Sequence, residues 1–356
     1  MTLEKRVGIK EVARRANVSI STVSNVLNGS RPVSPELFER VQTAAQELNY
    51  EANPFARSLK SKKSNNIAVI VPSINSVFFP PLLQSIQNIA SEHGFSVSIY
   101  DSRGDLEIER QYIQLLKFQW IDGIILSSCL DTASPDSKKY VHELSRLNAE
   151  GKPIPIVCIE AAISDHLDAV VVDDKESLYR ATQYLISLGR KRIGFIGSPC
   201  TFSMGKLRKA GYLSALAEAN YQIDSGIMLE GDYYPESGYQ CMKQLLHTEP
   251  RIDAVVVGND SMAIGAIRCI KNNGLQIPGD IAVIGFNNTF PSSLISPSLT
   301  TLSTPKEQMG ADAVTLLFRR MNDHKAERKL IVHHCDLIIR ESTDVNGSRE
   351  WDFNWR

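Results

Sequence analysis

The chain lacks any apolar run long enough to cross a bilayer, and its first residues, M-T-L-E-K-R-V, lack the apolar core of a signal peptide. Both absences speak against a membrane or exported protein, so the expected location is the cytoplasm. No C-x-x-C pair occurs among Cys129, Cys158, Cys200, Cys241, Cys269 and Cys335. Several of them sit inside apolar runs, so reduced, buried thiols are expected rather than disulfides or zinc ligands. The histidines show no ligand spacing, and the adjacent His333 and His334 would point to opposite faces of a strand. No metal or cofactor is expected. There is also no G-x-G-x-x-G after a strand, no P-loop and no G-x-S-x-G elbow. Asp101 and Asp105 could imitate a catalytic carboxylate pair, but no metal or base partner accompanies them, and capping or solvated roles are expected. The chain does not read as an enzyme.

A large net charge is missing too, yet the balance hides an asymmetry. Residues 1–63 carry 11 Lys and Arg against 6 Asp and Glu, and the rest carries 28 against 34. A basic head on an acidic body implies that only the head meets an anionic polymer. At 356 residues the chain exceeds what one core usually supports, so more than one domain is expected.

What is present begins with Ile9 to Asn28, which reads as two short helices joined by a tight turn. Ile9, Val12, Ala13 and Ala16 recur at helical spacing, Val18 sits in the turn, and Val23, Val26 and Leu27 form a second stripe. Small Ala13 lets the two helices cross closely. Ser19 is suited to cap the second helix, leaving Ile20, Ser21, Thr22 and Asn25 on an outward face. A short-chained polar face at the start of a helix suits entry into a DNA major groove, as in a helix-turn-helix. Ser34-Pro35 then starts a third helix, with Leu37, Val41, Ala44, Ala45 and Leu48 as its apolar stripe. Residues 51–65, E-A-N-P-F-A-R-S-L-K-S-K-K-S-N, read as a linker holding a helix too short to be stable alone.

From Ile67 onward the texture is strand and helix in alternation. Strands are predicted at 67–72, 95–100, 121–126, 154–159, 169–172, 192–197, 254–258 and 281–286. Helices are predicted at 79–93, 107–118, 175–189, 206–220, 236–247 and 260–274. Near-continuous apolar strands alternating with helices mean parallel sheets covered on both faces, and the number of units predicts two side-by-side α/β subdomains. Open parallel sheets bind ligands at the carboxyl ends of their strands. Here those ends read P-S-I-N-S-V-F-F (72–79), Y-D-S-R-G-D (100–105), V-D-D (172–174), G-S-P-C-T-F (197–202), G-N-D-S (258–261) and G-F-N-N (285–288). Polar groups beside Phe78 and Phe79 suit a small polar ligand with one apolar face, such as a sugar.

A DNA-reading head and a two-lobed body with a cleft together resemble the lactose/galactose repressor (LacI/GalR) family of bacterial transcription regulators. The resemblance spans roughly residues 8–342. It is carried by I-K-E-V-A-R-R-A-N-V-S-I-S-T-V-S-N-V-L-N-G, N-Y-E-A-N-P-F-A-R-S-L-K, I-A-V-I-V-P, I-D-G-I-I-L, G-N-D-S-M-A-I-G-A-I, I-P-G-D-I-A-V-I-G-F-N-N and S-P-S-L-T-T-L. It implies a helix-turn-helix domain at 1–52, a hinge helix at 53–64 and an effector-binding, dimerising body at 65–342 of periplasmic-binding-protein-like fold, followed by a tail at 343–356. The body would consist of two doubly wound parallel-sheet subdomains, about 65–162 with 291–325 and about 163–290 with 326–342.

By the same resemblance Ile20, Ser21 and Asn25 match base-reading positions, and Thr22 and Asn28 match backbone contacts. Leu59 matches a leucine wedged into the minor groove, beside Ala56, Ser58 and Lys60. In the body Arg208 matches a ligand-binding arginine and Asn259 a polar cleft residue; with Asn287 and with Ser73, Phe78 and Phe79 from the end of the first strand they are the expected effector-binding residues. Two departures stand out. Asn287 replaces an Asp common in relatives, which weakens the case for a neutral sugar and gives ground to an anionic or modified ligand. Gly8 stands where Thr often caps the first helix, and Gly is an acceptable cap. The resemblance implies a repressor that binds a pseudo-palindromic operator as a homodimer and answers to a small-molecule effector, a sugar or related metabolite. A regulator controlled by a partner protein is the alternative, and a free sugar-binding protein the remote one. The tail, D-V-N-G-S-R-E-W-D-F-N-W-R, shows no leucine heptad for a tetramer, and Trp351, Phe353 and Trp355 are expected to dock on the body.

Overall fold

The computed structural model describes residues 7–28, 31–50, 64–149, 151–249 and 251–351. It divides into two compact units, residues 1–64 and 65–356.

Among the described residues the first unit holds three helices, α1 (Ile9–Ala16), α2 (Ile20–Asn28) and α3 (Pro35–Glu47). Each starts where the local chemistry says it must. The Gly8 N–H donates to Glu11 Oε2 at 3.0 Å, the half of a capping box in which the third helical residue reaches back, while Gly8 has no side chain to supply the other half. Ser19 Oγ accepts the Thr22 N–H at 3.1 Å, and Ser34 Oγ accepts the Leu37 N–H at 3.4 Å, ahead of Pro35 in the first turn. Asn17 ends α1 in the left-handed region, which Asn tolerates. Val12, Ala13, Ala16, Val23, Val26, Val41, Ala44 and Ala45 form the buried centre. Arg40 closes it from a distance, its Nη2 donating to the Ala16 and Asn17 carbonyls at 2.7 and 3.2 Å.

The second unit holds two six-stranded sheets. In chain order its elements are β1 (Asn66–Val71), α4 (Phe79–Glu92), β2 (Ser96–Asp101), α5 (Leu106–Phe118), β3 (Gly123–Leu126) and α6 (Ser137–Ser145). A two-residue hairpin, β4 (Asn148–Ala149) and β5 (Lys152–Pro153), follows, then β6 (Ile156–Ile159), β7 (Asp168–Val172) and α7 (Asp174–Ser187). Next come β8 (Ile193–Gly197), α8 (Ser203–Glu218), β9 (Met228–Glu230), α9 (Pro235–Thr248), β10 (Ala254–Val257), α10 (Asp260–Asn272) and β11 (Ala282–Asn287). The series ends with α11 (Phe290–Leu294), β12 (Thr300–Ser303), α12 (Lys306–Asn322), β13 (Leu330–His333) and β14 (Asp336–Ile338).

The N-terminal lobe has strand order β13-β7-β6-β3-β1-β2 and the C-terminal lobe β14-β12-β11-β10-β8-β9. Pairing is parallel throughout both sheets except for β12 with β14. Each sheet is doubly wound, with its switch in strand order between β1 and β3 and between β8 and β10. Interior strands such as β3, β6 and β10 are buried at every residue, as parallel strands covered on both faces should be. On one face of the C-terminal lobe α9 and α10 touch backbone to backbone. A Cβ added at Gly265 would come within 1.9 Å of the Pro235 carbonyl oxygen, so only glycine permits this approach.

The chain passes between lobes three times, at residue 173, at 304–305 and at 334–335. Here the structure departs from the sequence boundaries. Residues 168–172 and 330–333, assigned from sequence to the second subdomain, are strands of the first sheet, and 300–303, assigned to the first, is a strand of the second. The reason is physical: a buried apolar strand looks the same whichever sheet receives it, and its partner is chosen by contacts far along the chain. Residues 343–349, set apart as tail, are likewise tied to the C-terminal lobe, with Thr343 Oγ1 hydrogen-bonded to Thr300 Oγ1 and Arg349 paired to Glu341.

Candidate functional site

In the helical unit the outward face of α2 is as the spacing predicts. Ile20 and Ser21 are exposed, Thr22 and Asn25 are half-buried at the rim, and Asn28 closes the helix. Ile20 is 46% exposed, an apolar side chain with no core to enter, which suits contact with a thymine methyl. Lys10, Arg14, Arg15 and Arg31 are exposed as well, in keeping with a phosphate-facing surface. Ala56, Ser58, Leu59 and Lys60 lie outside the described residues.

In the body the parallel strands end at the polar segments singled out from sequence, and side chains from both lobes meet there. Arg208 of α8 is buried. Its Nε donates to Asp174 Oδ1 at 2.7 Å, its Nη1 donates to the Gly258 carbonyl at 2.7 Å, and the guanidinium lies 3.9 Å above the Phe286 ring. Burial pushes the Asp174 carboxyl up, against the pull of Arg208 beside it. From the other lobe comes Glu160, which follows β6 with a positive φ of 67° and accepts a hydrogen bond from Ser127 Oγ. Burial raises its carboxyl to about 7, opposed by the Ser127 hydroxyl and the Arg208 charge and helped by Asp174. Tyr233, another positive-φ residue, stands near Arg208, Ser198, Glu160 and Asp174, its hydroxyl pushed up by burial. The ring of Phe202 lies 6.3 Å from it. At the rim Lys206 of one lobe reaches Asp131 of the other at 3.8 Å, an exposed pair that contributes little to stability.

The remaining expected cleft residues divide. Phe78 and Phe79 meet edge to face at 5.1 Å, but both are almost wholly buried in the core, so they brace the start of α4. Asn259 caps α10, its Oδ1 accepting the Met262 N–H at 2.9 Å, while its Nδ2 donates to the Tyr233 carbonyl at 2.9 Å. It thereby holds Tyr233 in place. Asn287 sits beside a lobe crossing: its Oδ1 accepts from Thr304 Oγ1 at 3.2 Å, and its carbonyl accepts from Lys306 Nζ at 2.7 Å. Ser73 is half-buried in the turn after β1. Sequence reasoning missed Glu160, Ser127 and Tyr233, while Phe286 falls within the segment 285–288 that it had singled out. Glu160 ends an apolar run just as the quoted segments do, which was the available signal.

Of the two aspartates expected to cap or to be solvated, Asp105 is a helix cap and Asp101 closes a turn. Asp101 accepts the Arg103 N–H at 2.9 Å, and Asp105 caps α5 by accepting the N–H groups of Glu107 and Ile108. Among the described residues no group of three His, Cys, Asp or Glu is placed to hold a metal, and no helix is long and apolar enough to cross a membrane. All six cysteines are free, and four of them are buried. A cavity of about 730 Å³ does exist, but beside the 304–305 crossing and not among the cleft residues.

A helix-turn-helix head on a two-lobed α/β body with a polar inter-lobe cluster defines a DNA-binding regulator built on a binding-protein fold. Comparison with known proteins agrees. Residues 8–53 match the profile of bacterial regulatory proteins of the lacI family, and residues 182–343 match a periplasmic binding protein-like domain. The HTH-type transcriptional repressor PurR of Pasteurella multocida is 35% identical over 335 residues, which cover 94% of this chain and 98% of the relative. PurR of Klebsiella pneumoniae subsp. pneumoniae is 34% identical, with 94% and 96% covered. A lac repressor dimer bound to operator and the anti-inducer ONPF superposes with a TM-score of 0.83 at 28% identity, with 95% and 99% covered. A complex of the transcriptional regulator CelR with cellobiose does so with 0.70 at 29%, with 95% and 100% covered. The chain belongs to the LacI family, and it is a DNA-binding transcriptional repressor rather than an enzyme.

Proposed function

We propose that this repressor grips a pseudo-palindromic operator as a homodimer and is controlled by a small, flat, uncharged molecule that donates N–H or O–H hydrogen bonds in the inter-lobe cleft. The observation that carries the effector class is the state of Arg208. Two of its donors already serve Asp174 and the Gly258 carbonyl, while Glu160 and Asp174 place carboxylate oxygens nearby. An anion would meet those carboxylates with the nearest guanidinium already neutralised, which argues against the anionic ligand that Asn287 alone had favoured. Half-buried Tyr233 and Phe202 supply aromatic surface for a planar ligand.

A ligand held by Glu160 of one lobe and Asp174 of the other favours one lobe angle over another. It shifts operator affinity only by its differential affinity for those states, and ~1–3 kcal/mol of coupling suffices. On the DNA side Ile20, Ser21 and Asn25 read bases, while Thr22 and Asn28 fix the helix to the backbone. Ala56, Ser58, Leu59 and Lys60 belong to the linker contact implied by the family resemblance.

The test has two arms. The whole chain is titrated calorimetrically with neutral nucleobases, neutral sugars and sugar phosphates, and any binder is then added to gel-shift titrations on a palindromic operator. Saturable heat from a neutral donor, with an operator affinity changed several-fold in either direction, is the expected result. Binding by sugar phosphates alone would overturn the effector class, and equal affinity for operator and random DNA would overturn the DNA reading.

A further inference from the structure

Two hydroxyls of the inter-lobe cluster, those of Ser198 and Tyr233, have more protons to donate than the protein has acceptors beside them. Ser198 follows β8 and is only 1% exposed, yet among the described residues no atom meets its Oγ in hydrogen-bonding geometry. Its polar neighbour is the Tyr233 hydroxyl, on which Ser198 acts against the upward push of burial. Among the described residues the Tyr233 hydroxyl has no further hydrogen-bonding neighbour. Each hydroxyl carries one proton to donate. Even if the two share one hydrogen bond, a proton is left over, and a buried hydroxyl with no acceptor is costly.

The backbone keeps both groups in place. The loops after β8 and β10 touch, so that a Cβ at Gly258 would come within 2.9 Å of the Ser198 nitrogen. Tyr233 has a φ of 75°, and Asn259 Nδ2 holds its carbonyl at 2.9 Å. Acceptors of the same cluster are already engaged. Asp174 Oδ1 and the Gly258 carbonyl take Arg208 Nε and Nη1, and Glu160 takes Ser127 Oγ.

We propose that the Ser198 and Tyr233 hydroxyls together form a donor site for a hydrogen-bond acceptor of the effector, a carbonyl oxygen or a ring nitrogen. The pair thereby narrows the effector class, on the footing that the effector lies in this cleft as proposed above. Glu160 and Asp174 call for donors on a flat neutral molecule, and the hydroxyl pair calls for an acceptor on the same frame. A cyclic amide or an amino-substituted nitrogen heterocycle holds both kinds of group fixed in one plane. A site built to hydrogen-bond such a group rejects the molecule that lacks it.

The experiment uses the full-length chain and its Ser198→Ala and Tyr233→Phe variants, each of which loses one hydroxyl. Without added ligand both variants are expected to melt no lower than the native chain, because no hydrogen bond within the protein is lost. A lower midpoint for both would show that the hydroxyls are already satisfied and would overturn the proposal. Calorimetric titration with uracil, which offers carbonyl acceptors, and adenine, which offers ring nitrogens, then tests the acceptor. The expected result is saturable heat from at least one of them, with binding to each variant at least about tenfold weaker than to the native chain, as for the loss of a hydrogen bond to a bound group. Equal affinity for all three chains would overturn the hydroxyl pair while leaving the cleft as the effector site. Heat from no neutral nucleobase or sugar would remove the flat neutral effector instead, and the melting comparison would then decide the hydroxyl pair by itself.

Discussion

Arg208 and Asp174 set the energetics at the scale of single residues. Two charges taken out of water hold each other only while both are present, and removing one leaves the other buried and uncompensated. Asp174→Ala is expected to destabilise the body by ~3–5 kcal/mol in urea unfolding, whereas a loss below ~1 kcal/mol would mean that water reaches Arg208. Glu160 makes a separate prediction. Its carboxyl is held up at about 7 by burial, whereas an unfolded glutamate titrates near ~4.3. Between those values the folded chain binds the proton more tightly, so the Glu160 contribution is full at low pH and is lost as pH rises through about 7. Asp260, raised to about 6 by burial, acts in the same sense. The informative quantity is thus the difference between the native chain and Glu160→Gln. The native chain should lose up to roughly 3 kcal/mol more stability between pH 5 and 8. Parallel pH profiles for the two would show that Glu160 titrates normally.

At the scale of elements, α2 is the part whose local rules and function coincide. Ser19 Oγ satisfies the Thr22 N–H and so fixes where the helix begins, which in turn decides which residues lie on the outward face. Ser19→Ala should cost about 1 kcal/mol in head stability and lower affinity for operator and random DNA alike. Asn25→Ala should behave differently, losing ~1–3 kcal/mol on operator and little on random DNA, because an amide that reads a base edge has no role on a wrong sequence. Fluorescence anisotropy on both DNAs separates the two, and equal losses for Asn25→Ala on both would remove it from base reading. The cleft elements teach a contrasting lesson. Phe78 and Phe79 looked ligand-facing because they follow a strand, but the start of α4 turns both rings into the core.

For the whole molecule, the division into a unit of residues 1–64 and a unit of residues 65–356 carries its own expectation. A chain lacking residues 1–63 should melt cooperatively, bind the same effector within a few-fold, and lose operator binding in gel shifts. Retained operator recognition would place DNA contacts on the body. In the intact chain, operator affinity should fall steeply with added salt, with a log–log slope of about −0.9 for each phosphate contacted. A flat salt response would mean that the basic residues of the head do not meet the backbone.

Local chemistry written in the sequence was sufficient for much of this protein. Caps at Ser19, Ser34 and Asp105, apolar strands at near-even intervals and the polar segments after them follow from interactions among residues a few positions apart. Such interactions do not depend on the rest of the fold. What only the tertiary structure decided is partnership. Strand 168–172 joins the first sheet and strand 300–303 the second, Arg208 finds Asp174 and the Gly258 carbonyl, and Glu160 crosses to the same cluster from the other lobe. Buried parallel strands are interchangeable as strings of Val and Ile, and an ion pair between residues 34 positions apart leaves no periodic trace. Both are selected by which surfaces exclude water together, and that is settled only when the whole chain packs.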